Sequence, residues 1–541
     1  MTSIELKKLE ENTEDITSDV TYNDNVNNEG VLVEIKNDEE KKSEYVIKKV
    51  GGGGPEEPKF VPMLLTFISV LFFTVLNECV ATVMYSDLVK EFDKKLTTIQ
   101  WVTTGFVLVL AIGMVYSSFI AKHLYMRTIF FTADILFVLG SLICVVSNSF
   151  ILLLIGRIIQ GFGTALLMPQ ISNVIIIMSP RDRIGFYNGI SMLVIITGSA
   201  LGPTISGLIT KFLGWRYVFA LLIPIPLIGG IFGYWTIGNI VEQEDTKLDI
   251  LSVILAILGY GGISFGLGNT GDYGFGSPLV IVTLIVGVLS LAAFFVWENF
   301  CKNPLVSLKN LGRPIFIVNV LMSNIINSNL VGWLAIIPFI IQNYLGQSVF
   351  ISGLALLPGG VLNATLNILG GKIYDKSYFK YGPVGITLIF IASIFLFIMH
   401  ITDNVKLWII MIGYAVGNIG IPLVASMYGT ASLTCVPPQS TPHAAAIFHS
   451  FYQLFCALCS AVYVALLNNF DDVPFNASKD PLVNGGSICF LLTITITGIA
   501  LIVGIVWSVI FFKDHDSKGN LKNKKNKKDI NEIHLVVIID R

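Results

Sequence analysis

The sequence predicts an all-α integral membrane protein of about fourteen transmembrane helices, with no soluble domain between them. Three observations predict it. Of 541 residues, 53% are hydrophobic and 13% charged, with a mean hydropathy of +0.73, whereas a soluble domain carries about 25% charged residues. Apolar runs long enough to cross a hydrocarbon core of about 30 Å recur from Phe60 to Phe512. The loops between them hold at most about 15 residues, too few for a catalytic or lumenal domain.

Residues 1–59 are charged, Asn-rich and poor in aromatics, closing with GGGGPEEP (51–58). Such a segment cannot bury a core, so an acidic, disordered cytosolic tail on a flexible hinge is expected. It is too polar for a cleavable signal. Six spans follow at 60–85, 98–121, 126–147, 150–172, 184–210 and 215–237, making a bundle over 60–238. The stretch 239–313 opens with the acidic loop Glu242–Lys247 and adds two spans, 249–268 and 277–298. A second bundle over 314–512 takes spans at 314–341, 349–372, 382–401, 405–428, 443–468 and 484–512. The tail 513–541 carries KNKKNKK (522–528), a basic run suited to anionic lipid headgroups.

Loop charge gives the expected orientation. With the amino terminus inside, inner loops hold Lys122, Arg127, Arg181, Arg183, Lys302, Lys309, Arg313, Lys372, Lys376 and Lys380. Outer loops hold Lys90, Lys94, Lys95, Lys211, Arg216, Lys406 and Lys479, partly offset by acids. Both termini are therefore expected in the cytosol. Asn476-Ala477-Ser478 is an outer-loop glycosylation triplet of a kind that arises readily by chance. The seven cysteines suit spans or inner segments, and the CxxC of Cys456 and Cys459 reads as helix packing rather than redox or metal chemistry.

Two strings stand out, GRIIQGFGTALLMP (156–169) and GSALGPTISG (198–207). The first places Arg157 inside a span, where a central arginine costs roughly 2.5–3.5 kcal/mol and so marks a functional site. In the second, Gly198 and Gly202 form a close-approach step, Pro203 removes a backbone donor, and Gly207 follows one turn on; together they suit gating between sliding helices. Glu78 in the first span shares a depth with Arg157 and is the leading proton site, with a structural ion pair as the alternative. Asp134 in the third span and His449 in the thirteenth are further candidates for proton binding, each with a plain packing reading beside it. The ninth span is rich in amides. Asn324, Asn327 and Ser328 share a helix face, as do Asn363 and Asn367 in the tenth. These faces, with Asn77 and Trp333, are candidates for a substrate cavity; interhelical hydrogen bonding is the equal alternative. SSFIAKHLYMR (117–127) and GGKIYDKSY (370–378) echo one another at inner helix junctions, as repeated halves would, and add Gly371, Asp375 and Lys376 to the gating set.

These strings resemble the major facilitator superfamily, in particular its fourteen-helix drug:proton antiporter group (EmrB/QacA type) and the lincomycin-resistance-like branch. GWRYVFALLIP (214–224), NPLVSL (303–308) and IQNYLGQSVFISGLALLPGG (341–360) fit in order and spacing, so the resemblance covers nearly all of Phe60–Phe512. Ser206 stands where the family's fifth-helix motif has glycine, Asn77 where its first helix has aspartate, and Lys122 where its first loop motif has aspartate; the second copy keeps Asp375. The resemblance implies the major facilitator fold, two six-helix bundles rocking about a central cavity, and a monomer in the cell membrane. It implies efflux of an amphipathic or cationic small molecule in exchange for protons, with the proton motive force in place of a cofactor. The alternatives are a metabolite exporter or importer of the same superfamily or, from the departures at Asn77 and Lys122, a transport-inactive membrane sensor or scaffold. No nucleophile–base set, metal cluster or phosphate loop supports an enzyme, and nothing points to nucleic acid.

Overall fold

Fourteen helical segments of the computed structural model are long and apolar enough to cross a membrane. They are Phe60–Glu78, Trp101–His123, Met126–Val146, Phe150–Met178, Arg181–Leu213, Trp215–Thr236, Ile250–Gly268, Pro278–Phe300, Pro314–Asn343, Ile351–Ser377, Gly382–Ile401, Leu407–Thr434, Thr441–Leu467 and Pro481–Phe511, called spans one to fourteen below. The structure describes residues 58–81, 83–241, 243, 249–274, 276–301, 313–437, 440–469 and 480–523, and no strand occurs among them. The tail up to residue 57, Glu242 and 244–248 of the acidic loop, NPLVSL with Lys302 and Lys309, the Asn476 triplet with Lys479, and the basic run from residue 524 lie outside the described residues.

Local chemistry sets the helix ends. The Ser149 side chain accepts from Leu152 N at 3.3 Å to open span four, Ser348 does the same for Ile351 N, and Asp249 accepts from Ser252 N at 3.1 Å to open span seven. Proline stands in the first turn of spans eight, nine and eleven, where its missing donor costs nothing. Spans five and six are joined by Gly214 alone, at φ +97, a conformation a side chain would strain.

Span one stops earlier than its hydropathy suggests. Its helix ends at Val80, and a separate helix, Tyr85–Phe92, follows. The cause is amphipathicity: Leu88 is buried while Asp87, Lys90 and Glu91 are exposed, so this segment lies along the surface instead of crossing.

Spans one to six pack as one group, with span three against span four, span two against span four, and span one against spans five and six. Spans nine to fourteen form a second group, in which spans ten and twelve, eleven and twelve, and eleven and fourteen are partners. Spans seven and eight pair with each other; span seven also touches spans two and thirteen. Only 17% of the span eight window is buried in protein, which leaves Val282, Leu289, Val296 and Phe300 for lipid.

We call the face where span one begins proximal and the opposite face distal. Near the proximal face the groups meet most closely at spans five and ten, where a Cβ on Gly371 would collide with the Gly185 carbonyl. Nearby, Asn188 donates to Thr430 Oγ1 at 2.8 Å. At the distal face Arg216 pairs with Glu91 at 2.6 Å and donates to Ser147 O at 2.7 Å, while Trp215 Nε1 donates to Glu91 at 2.6 Å. The surface helix is thereby fixed to spans three and six.

Partial burial pushes the Glu91 carboxyl up, but the bonds from Arg216 and Trp215 and the Arg216 charge outweigh it and hold it below 4.5. A lowered folded value stabilises above the unfolded value and loses that effect as pH falls through the folded one. Glu91→Gln is therefore expected to lower thermal stability at pH 7 by up to about 1 kcal/mol, discounted for solvent screening. Melting curves of the purified protein should show the difference from wild type closing as the pH falls through the lowered folded value.

Candidate functional site

Arg157 organises the amino-terminal group. It is fully buried in span four, so every polar contact must come from protein. Its Nε donates to Val102 O of span two at 3.0 Å. Its Nη1 donates to Asn77 Oδ1 at 2.8 Å, Asn77 O at 3.1 Å and Gln160 Oε1 at 3.1 Å. Asn77 Nδ2 in turn donates to Gln160 Oε1 at 3.2 Å, and Gln160 Nε2 to Ser141 Oγ of span three at 2.8 Å. The guanidinium lies 4.3 Å from the Phe106 ring centroid, an arrangement favourable for a desolvated cation. Spans one to four are thus held by one cation and a relay of neutral acceptors.

Glu78 follows Asn77 and so projects about 100° further round the helix. It leaves the guanidinium bond to Asn77, and its Oε1 accepts from Gln453 Nε2 of span thirteen at 3.3 Å. The carboxyl thus stands on the boundary between the two groups, within electrostatic reach of Arg157.

The other proton candidates lie elsewhere. Asp134 is buried at the seam of spans three and six; its Oδ1 has no hydrogen-bond partner, and a Cβ on Gly230 would sit 2.6 Å from Oδ2. His449 Nε2 lies 3.0 Å from Ser172 Oγ of span four, a second tie from span thirteen to the amino-terminal group.

The amide faces are engaged both between helices and within them. Asn324 donates to Phe448 O at 2.9 Å, Asn327 to Ser323 O at 2.8 Å, Asn363 to Asn418 Oδ1 at 2.8 Å, and Asn367 to Asn363 O at 2.7 Å. Ser328 donates to Ile325 O at 2.9 Å and meets Cys459 Sγ at 3.1 Å. Trp333 is buried against Tyr414 and Phe490, its Nε1 donating to Thr493 at 3.3 Å. Of this set only Asn327 keeps intermediate exposure. Asn324, Asn363 and Ser328 thus reach a neighbouring helix, while Asn327 bonds within its own span.

The gating strings fall at two levels. A Cβ on Gly198 would lie 3.1 Å from Phe72 O, Gly207 faces Val83, and Ser206 Oγ donates to Val80 O at 2.7 Å, so this stretch, with the buried Gly202 and with Pro203 inside the helix, packs on span one. Asp375 works between the groups: it accepts from Gly185 N at 2.6 Å and Phe186 N at 2.9 Å in the first turn of the helix Ile184–Leu213. A carboxylate there meets both free donors and the positive end of the helix dipole. Beside Gly371 and Asp375, Lys376 is exposed, and the Lys372 ammonium lies 5.4 Å from the Phe186 ring centroid.

Gln160, Ser141, Gln453 and Ser172 are the participants that sequence reasoning missed. Gln160 and Gln453 each lie one turn from a residue already singled out, Arg157 and His449, and that spacing was the available signal.

Comparison with known proteins agrees with this architecture. Residues 63–460 match the family described as Major Facilitator Superfamily. The lincomycin resistance protein LmrB of Listeria monocytogenes is 33% identical over 420 residues, 77% of this chain and 88% of its own length. The methylenomycin A resistance protein of Streptomyces coelicolor is 25% identical over 438 residues, 80% of this chain and 90% of its own. The structure of the proton:xylose symporter XylE aligns with a TM-score of 0.58 at 15% identity, covering 84% of this chain and 95% of that one, a likeness of fold.

Replacing Gln160 by leucine keeps the volume but strips an acceptor from Arg157 and a donor from Ser141. A cost of about 1.5–3 kcal/mol is expected, as for a hydrogen bond to a buried charge. Thermal unfolding in nanodiscs should show it, while Gln342→Leu, at a partly buried bond to Ser352, should cost about 1 kcal/mol or less.

Proposed function

The chain belongs to the Major Facilitator Superfamily, and from that membership we propose that it is a drug:proton antiporter working by alternating access. It exports amphipathic or cationic small molecules across the cell membrane, with both termini in the cytosol. The observation that carries this reading is Glu78, a half-buried carboxyl at the boundary of the two helix groups that is bonded across it to Gln453. A carboxyl in that position can take a proton when one side is open and release it when the other is. Each proton moving down a membrane potential supplies about 2.3 kcal/mol per 100 mV.

The cytosolic placement of the proximal face follows from its lysines and arginines. On that assignment, the Asp375 bonds and the Gly185–Gly371 crossing close the cytosolic side, and the molecule rests facing outward. The choice of cargo draws on the relatives, whose names are those of antibiotic-resistance proteins. An acidic residue among apolar helices suits an amphipathic cation.

Efflux of a lipophilic cationic dye from proteoliposomes under an imposed pH gradient tests the proposal. Wild type is expected to show gradient-driven flux, and Glu78→Gln to fall to the leak rate. Equal flux in both would move coupling to Asp134 or His449. Absence of flux in either would favour a narrow metabolite substrate or a transport-inactive sensor.

A further inference from the structure

His449, Gln453 and Cys456 occupy positions i, i+4 and i+7 of span thirteen, a single stripe of an α-helix. That stripe faces the amino-terminal group. His449 meets Ser172 at 3.0 Å, Gln453 donates to Glu78 at 3.3 Å, and Cys456 lies within electrostatic range of the same carboxyl. Gln453 is 4% exposed, so its amide is committed to this boundary. Glu78 stands about 27 Å along span one from Phe60, at a helical rise of about 1.5 Å per residue. The ties made by Asp375, Asn188 and His449 all lie nearer the proximal face. Among the described residues, the Glu78–Gln453 bond is the deepest of these links between the groups.

We propose that Gln453 is a positioning residue for Glu78, holding the carboxyl at the boundary and tying its proton exchange to the seat of span thirteen. The inference rests on the antiport reading for the purpose of that exchange, but the tie itself is a property of the fold. An N–H donated to a carboxylate makes a hydrogen bond roughly twice as strong as one between neutral partners. The link is therefore firm while Glu78 is charged and slack once it is protonated, so the carboxy-terminal group senses the proton. Titratable groups facing Glu78 are Arg157 of span four and Cys456 of span thirteen. Span five brings Ser206 and Gly198 to span one, neither of them titratable. Both titratable groups remain when Gln453 is changed.

Gln453→Met keeps the shape of the side chain and removes the donor. Infrared difference spectra of the full-length protein in nanodiscs, recorded through a pH titration, follow the carboxyl band that Glu78→Gln abolishes. Loss of a donor to the charged form is expected to move the midpoint of that band up by about one pH unit. The exchanged double variant, Glu78→Gln with Gln453→Glu, re-forms the pair with the carboxyl on span thirteen and should restore the wild-type midpoint. A Gln453→Met midpoint equal to wild type, or a shift that the double variant leaves in place, would overturn the proposal. Because the spectra need no substrate, a clear shift in a protein that carries no dye would sink the drug-antiport reading and leave this one standing.

Discussion

A guanidinium with no access to water governs the amino-terminal half of this molecule. Arg157 cannot lose its charge, and the membrane interior supplies no solvent to share it. Four helices must therefore stand where their oxygens reach it: Asn77 from span one, Val102 from span two, Gln160 from its own span, and Ser141 of span three behind Gln160. Neutral acceptors divide the charge without cancelling it, so its field still extends to Glu78. A carboxylate in place of Asn77 would have made a closed ion pair. The amide leaves the carboxyl one position on to face the other half.

The two halves meet by different means at different depths. Near the proximal face the union is steric and backbone-based, with glycines in contact and the Asp375 carboxylate on the free amides of a helix. Deeper in, side chains of span thirteen take over through His449 and Gln453. The glycine contacts are indifferent to protonation, whereas the Asp375 bonds and the deeper ties end on titratable groups.

Much of the fold was legible because crossing a bilayer demands long apolar helices, and composition reports that directly. The ends of spans three, four, six and eleven fell within a few residues of their expected places at one or both termini. Span one did not, since the surface helix Tyr85–Phe92 continues its hydropathy while changing direction. At the site, Arg157 and Glu78 announced themselves as charges in hydrocarbon. Gln160 and Gln453 did not, because an amide in a helix looks the same in sequence whether it meets water, a ligand or another helix. Periodicity placed Asn363 and Asn367 on one face correctly; what that face touches, Asn418 and Ser426 of span twelve, is a tertiary fact.

Span seven grips both sides of one seam. Tyr116 of span two donates to its Val253 carbonyl at 2.7 Å, and its own Tyr260 hydroxyl donates to Ser450 of span thirteen at 3.2 Å. Parting spans two and thirteen means giving up one of these bonds or dragging the pair of added helices along through the lipid. At the opposite seam spans five and ten meet directly, with Gly353 and Gly360 of span ten looking onto empty space beyond their crossing. The two seams are consequently built differently, one bridged by an added helix and the other closed by direct contact of spans five and ten.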